Sequence, residues 1–80
     1  MNGPPANAIR ISDPSRLGET IRRRRLELGW TQAQLSALAG VGTRFLSELE
    51  RGKTTAEIGK VLQLTSRMGL DFWLAPRSST

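Results

Sequence analysis

The 80-residue sequence contains no cysteine and no histidine. The first absence excludes disulfides and thiolate metal sites. The second removes the commonest metal ligand and the commonest general acid–base group near neutral pH. Carboxylates are not clustered either, so no enzymatic activity, catalytic residue, metal site or cofactor is expected. No apolar run approaches the roughly 18 residues of a membrane span, and the opening MNGPPANA lacks the apolar stretch of a signal peptide. A cytoplasmic protein with no membrane partner is the expectation. Internal repeats and low-complexity tracts are also missing.

What is present is positive charge: twelve Lys and Arg against seven Asp and Glu, a formal net charge of +5. That balance favours a polyanionic partner, whether nucleic acid, an acidic membrane surface or an acidic protein. A chain this short makes one domain with one modest core, burying only about 60% of its unfolded surface. Dimerisation is a natural way to enlarge such a core.

Helical signals dominate the middle of the chain. Ser12 or Asp13 can cap a first helix, Pro14 suits its first turn, and Leu17, Ile21 and Leu28 share one face before Gly29. Thr31 and Gln34 have the spacing of a capping box, with Trp30 and Leu35 placed as a hydrophobic staple, so a second helix opens there. Trp30 is therefore read as a wedge between helices. Gly40 ends the second helix; Gly42 caps a third that runs to Arg51 and stops at Gly52. Thr54 or Thr55 is expected to cap a fourth, AEIGKVLQLTSRMG, with Ile58, Val61, Leu62, Leu64 and Met68 on its apolar face. Gly59 inside that helix costs about 1 kcal/mol relative to Ala, which a close helix approach would explain. Gly69 breaks the chain before LDFWLA, a stretch rich in strand formers.

The third helix is the informative one. Val41, Leu46 and Leu49 fall to one side, joined on that arc by Gly42 and Phe45, while Thr43, Arg44, Ser47, Glu48 and Arg51 fall to the other. Hydroxyls and an arginine near a helix N-terminus suit the edges of bases in a DNA groove. The run RRRR, residues 22–25, does not form one patch, because four consecutive helical positions point four ways. Arg25 points inward, Arg24 falls in the apolar arc, and Arg22 and Arg23 face solvent or phosphate.

Small residues at Ser36 and Ala39 allow the second and third helices to cross closely. With LGETIRRRRLELGWTQAQLSALAGV and LSELERGKT, the chain from about Leu17 to Gly69 resembles the Cro/C1-type (XRE) helix-turn-helix regulators. The resemblance implies an all-α, lambda-repressor-like domain of four to five helices. It implies base contacts from Thr43, Arg44, Ser47 and Glu48, and phosphate contacts from Gln32, Arg51, Lys53 and Arg22. It also implies a structural ion pair between Arg25 and Glu50 joining the first and third helices. The sequence departs from the family pattern at Gly42, where a Ser or Thr cap is common, and at Arg24.

The flanks narrow the resemblance. GLDFWL after the fourth helix, with ISDPSRL before the first, is similar to antitoxins of the HipB type, whose C-terminal strands pair across a homodimer. A lone strand must find a partner for its backbone, and a second copy supplies one. Phe72 and Trp73 alternate, so one is expected to seal the helical core while the other meets the dimer mate or a toxin; folding back onto AIRIS is the alternative. The organisation expected is a flexible arm over 1–11 with a short strand at 8–11, the DNA-binding domain over 12–69, a dimerisation strand over 70–75 through Leu70, Phe72, Trp73 and Leu74, and a mobile tail over 76–80. The function expected is a homodimeric repressor of a palindromic duplex operator, nucleoid-associated, acting as the antitoxin of a HipA-like kinase and repressing its own operon. The rival readings are a stand-alone phage or restriction-control repressor, and a protein-interaction module that has lost DNA binding.

Overall fold

The computed structural model describes residues 3–77, and among these four helices form: α1 (Pro14–Glu27), α2 (Gln32–Ala39), α3 (Thr43–Glu50) and α4 (Ile58–Arg67). Each start has a local cause. Asp13 is the N-cap of α1, its carboxylate accepting from Arg16 N at 2.8 Å, with Pro14 in the first turn. The capping box opens α2: Thr31 Oγ1 accepts from Gln34 N at 3.0 Å and Gln34 Oε1 from Thr31 N at 2.9 Å. Gly42 precedes α3 and contributes no side-chain cap.

All four helices end in the same way. The amides of Trp30, Val41, Lys53 and Leu70 donate back to the carbonyls of Arg25, Ser36, Glu48 and Thr65, closing a six-residue turn across a glycine. At Gly52 the requirement is twofold: its φ is +90°, and a Cβ there would lie 2.7 Å from Ser15 Oγ. A side chain would be strained by the backbone and by the neighbour together.

The core is Ile21, Leu35, Ala39, Leu46, Leu49, Val61, Leu64 and Met68, with Leu17, Leu28, Trp30, Val41, Phe45, Ala56 and Leu70 packed around it. α1 and α2 both lie against α3, and α4 lies against α2. The closest approach is at Gly18. A Cβ there would fall against the carbonyl oxygens of Leu49 and, 2.7 Å away, Glu50, so α1 and α3 meet backbone to backbone.

Four expectations about α4 are corrected here. α4 begins at Ile58 rather than at residue 56. The turn after α3 runs on to Lys53, Ala56 is half-buried in the connection, and Glu57 is extended (φ −70°, ψ 116°). Neither threonine side chain caps the helix; the N-cap is Glu57, without a side-chain bond. Gly59 therefore sits in the first turn with open space around it, and no close approach explains it. Ile58 and Leu62, assigned to the apolar face, are 63% and 46% exposed.

No strand forms among the described residues. Among the described residues neither 8–11 nor 70–75 has a ladder partner, and no backbone hydrogen bond joins the two segments. An extended segment without a neighbour leaves its amides to water. It is Leu70 that packs on the core, while Phe72 and Trp73 are both half-exposed and line the same groove with Ile9 and Ile11. Neither Phe72 nor Trp73 packs on the helical core, so the expectation that one of them seals it is corrected. Of the arm and tail, residues 1–2 and 78–80 lie outside the described residues. No helix among the described residues is long and apolar enough to cross a membrane, and no cluster of His, Cys, Asp or Glu there could hold a metal ion.

Candidate nucleic-acid interface

The outward face of α3 is built by sealing its back. Leu46 and Leu49 are buried at 0% and 2% exposure, which fixes the rotation of the helix about its axis. With 100° per residue, Thr43, Arg44 and Arg51 are then left exposed and Ser47 and Glu48 half-buried at the edge of the same face. Phe45 sits at the side toward α4, with Lys60 Nζ 5.7 Å from its ring centroid.

A buried polar network fixes the C-terminal end of α3. Arg25 Nε and Nη2 donate to Glu50 Oε2 and Oε1 at 2.7 and 3.0 Å, a bidentate pair whose side chains are 9% and 3% exposed. Arg25 Nη1 donates to the carbonyl of Trp30 at 2.9 Å, and Gln32 Nε2 donates to Glu50 Oε1 at 3.0 Å. The network thus ties α1, the start of α2 and the end of α3 into one unit. Hydrogen bonding to Glu50 raises the Arg25 pKa above its already high ordinary value, outweighing the desolvation that lowers it. The guanidinium is charged at any working pH. Gln32, the expected phosphate contact, has one amide hydrogen committed to Glu50 and keeps the second for an outside acceptor.

On the exposed side, Glu48 is a hub. Its Oε1 accepts from Lys53 Nζ at 2.9 Å and its Oε2 from Arg44 Nε at 3.3 Å. Lys53 first, and Arg44 second, hold the Glu48 carboxyl below the usual carboxylate range. Arg44 nevertheless projects into water, its side chain 91% exposed. Glu48, Arg51, Gly52 and Lys53 line a shallow depression where α3 ends. Arg22 is exposed on α1. Leu70, Phe72, Trp73 and Leu74 stand apart from this face, in the groove that the C-terminal segment shares with the N-terminal arm.

Two side chains close helix ends in a way the sequence reading missed. Arg24 Nε donates to the carbonyl of Met68 at 2.9 Å, so the arginine in the apolar arc of α1 caps α4. The Gln63 side-chain amide donates to the carbonyl of Ala39 at the end of α2. A cation at a helix C-terminus also opposes the negative end of the dipole. The signal for Arg24 was its position in an apolar arc. Gly18 carried a comparable signal, since it shares a face with Ile21 and Arg25.

Two short helices crossing through a tight glycine turn, the second with its back buried and its front polar, define a DNA-binding helix-turn-helix domain. Residues 21–72 match the Helix-turn-helix family. Over 62 residues the chain is 47% identical to an uncharacterised HTH-type transcriptional regulator, y4mF, of Sinorhizobium fredii (strain NBRC 101917 / NGR234), covering 78% of this chain and 82% of that protein. The chain belongs to the helix-turn-helix family of transcriptional regulators, which is not enzymatic. Its fold is shared with HipB as solved in a HipB-O1-O2 complex (20% identity, TM-score 0.78, 86% of this chain and all of that one). A chain of the HipA-HipB-O2-O3 complex superposes similarly, at 20% identity and TM-score 0.80, covering 89% of this chain and all of that one.

Proposed function

We propose that the chain is a homodimeric repressor that reads duplex DNA by placing α3 of each protomer in a major groove. The observation that carries this reading is the rotation of α3. Burial of Leu46 and Leu49 leaves Thr43, Arg44 and Ser47 as the side chains offered outward at its N-terminal half. Arg44 is the bidentate reader of guanine, and Thr43 and Ser47 contact neighbouring bases. Arg51, Lys53, Arg22 and the second amide hydrogen of Gln32 contact phosphates, and so carry the salt-sensitive, sequence-independent part of the affinity. A second copy pairs through the C-terminal segment, whose Phe72, Trp73 and Leu74 are 46%, 49% and 99% exposed in the single chain.

Within this reading the protein is the antitoxin of a HipA-like kinase and represses its own operon. The likeness in fold to HipB, including HipB in a complex with HipA, supports it, as does the apolar C-terminal segment left open beside the DNA-binding domain. Selection of random duplexes on the purified full chain tests the DNA reading. It should return a palindrome with half-sites about 10–10.5 bp apart, centre to centre. Recovery of no enriched sequence contradicts it. Co-expression with a neighbouring kinase gene tests the antitoxin role: a stoichiometric complex supports it, and free chains of both proteins contradict it.

A further inference from the structure

One carboxylate on the outward face of α3 binds two cations, one with each oxygen. Glu48 takes Lys53 on Oε1 at 2.9 Å and Arg44 on Oε2 at 3.3 Å. Both cations are ones that the proposed function sends to DNA, Arg44 to a base and Lys53 to a phosphate. Arg44 is held through Nε, which leaves the edge formed by its two terminal nitrogens free for a guanine. Each Glu48 oxygen keeps a second lone pair, but the carboxylate is already flanked by two cations, and a cytosine amino group would have to fit beside them.

We propose that Glu48 is a specificity-determining residue that acts through its two cations rather than on the DNA itself, a proposal resting on the DNA-reading role of α3. Away from a matching site, Glu48 neutralises Lys53 and Arg44, and any phosphate must compete with an internal carboxylate for them. At a matching site, the Nε contact buttresses Arg44 in the orientation that presents its free edge to the base, and base contacts offset the loss of the Lys53 pair. Glu48 thus weakens binding to unmatched duplex more than binding to the operator. It is a positioning residue, and its effect is a ratio of affinities.

The test measures binding of the full chain to a selected site and to a random duplex across a salt series, for the wild type, Glu48→Gln, and Glu48→Gln in an Arg44→Ala/Lys53→Ala background. Glu48→Gln keeps the size and helix propensity of the side chain, and a matching thermal melt checks the fold. Freeing the cations should tighten random-duplex binding about three- to tenfold at low salt and steepen the log K against log salt slope by about 0.9 per cation released. The preference for the selected site should fall. In the background lacking both cations, the same substitution should change random-duplex affinity less than about twofold, since the coupling has been removed. Equal tightening in both backgrounds overturns the proposal, because bare repulsion between Glu48 and phosphate would then suffice. Wild-type binding with an unchanged Glu48→Gln overturns it alone. A wild type that binds no duplex overturns the DNA reading along with it.

Discussion

Replacing Glu50 by Ala should be among the most damaging single changes on the α3 surface opposed to α1. Glu50 accepts three hydrogen bonds, two from Arg25 at 2.7 and 3.0 Å and one from Gln32 at 3.0 Å, with its side chain 3% exposed. Its removal leaves a buried guanidinium with only the Trp30 carbonyl for company. Breaking a buried pair in this way costs about 3–5 kcal/mol. A chain of this length has a total stability of about 4–12 kcal/mol, so the variant should be marginal at room temperature. Urea denaturation followed by circular dichroism measures this as a lowered midpoint with an unchanged slope. The double replacement Arg25→Met/Glu50→Leu should recover most of the loss, because two apolar side chains remove the desolvation along with the attraction. It should not recover DNA affinity, because Gln32 loses the acceptor that orients it. A loss below about 1 kcal/mol in Glu50→Ala would refute the view that this network is closed and dry.

Two glycines make opposite predictions. Gly18→Ala drives a methyl into the Leu49 and Glu50 carbonyls and should destabilise by about 1–3 kcal/mol, whereas Gly59→Ala meets open space in the first turn of α4 and should stabilise by about 0.5–1 kcal/mol; thermal melts of the pair check both. Ser36 Oγ is buried with no hydrogen-bond partner, so Ser36→Ala should leave the urea midpoint unchanged or raise it. Glu48 is held below its ordinary pKa by Lys53 and Arg44. The stabilisation from these contacts is therefore complete above the unfolded value and disappears as pH falls through the depressed folded one. Carboxyl NMR should find the Glu48 midpoint below the usual range and shifted upward in Lys53→Ala.

What the sequence disclosed was set by how local each cause is. The Thr31–Gln34 box, the Asp13 cap and the glycines that end the helices act within six residues, so helices α1 to α3 could be located from the chain alone. The beginning of α4 could not, because it depends on where the turn after α3 finishes and on the anchoring of Ala56 in a core assembled from distant segments. The polar face of α3 was legible from periodicity. That Glu48 joins Arg44 to Lys53 was not, since Lys53 lies beyond the helix and is brought back by its terminal turn. Arg24 was visible as an anomaly in an apolar arc, but its partner, the Met68 carbonyl, is 44 residues away. Gly18 and Gly59 look alike in sequence; only the packing of α1 on α3 tells them apart. The strand formers of 70–75 mark a segment suited to pairing, and pairing is a property of two segments rather than one.

The measurement closest to the central claim compares the base preferences of the wild type, Arg44→Ala and Lys53→Ala on one set of randomised half-sites. If α3 reads the groove with its exposed face, Arg44→Ala flattens the preference at one base pair per half-site, a loss of about 1–3 kcal/mol of discrimination. Lys53→Ala should lower affinity for all sequences nearly alike and reduce the salt slope by about 1. An Arg44→Ala protein with every base preference intact would contradict the account.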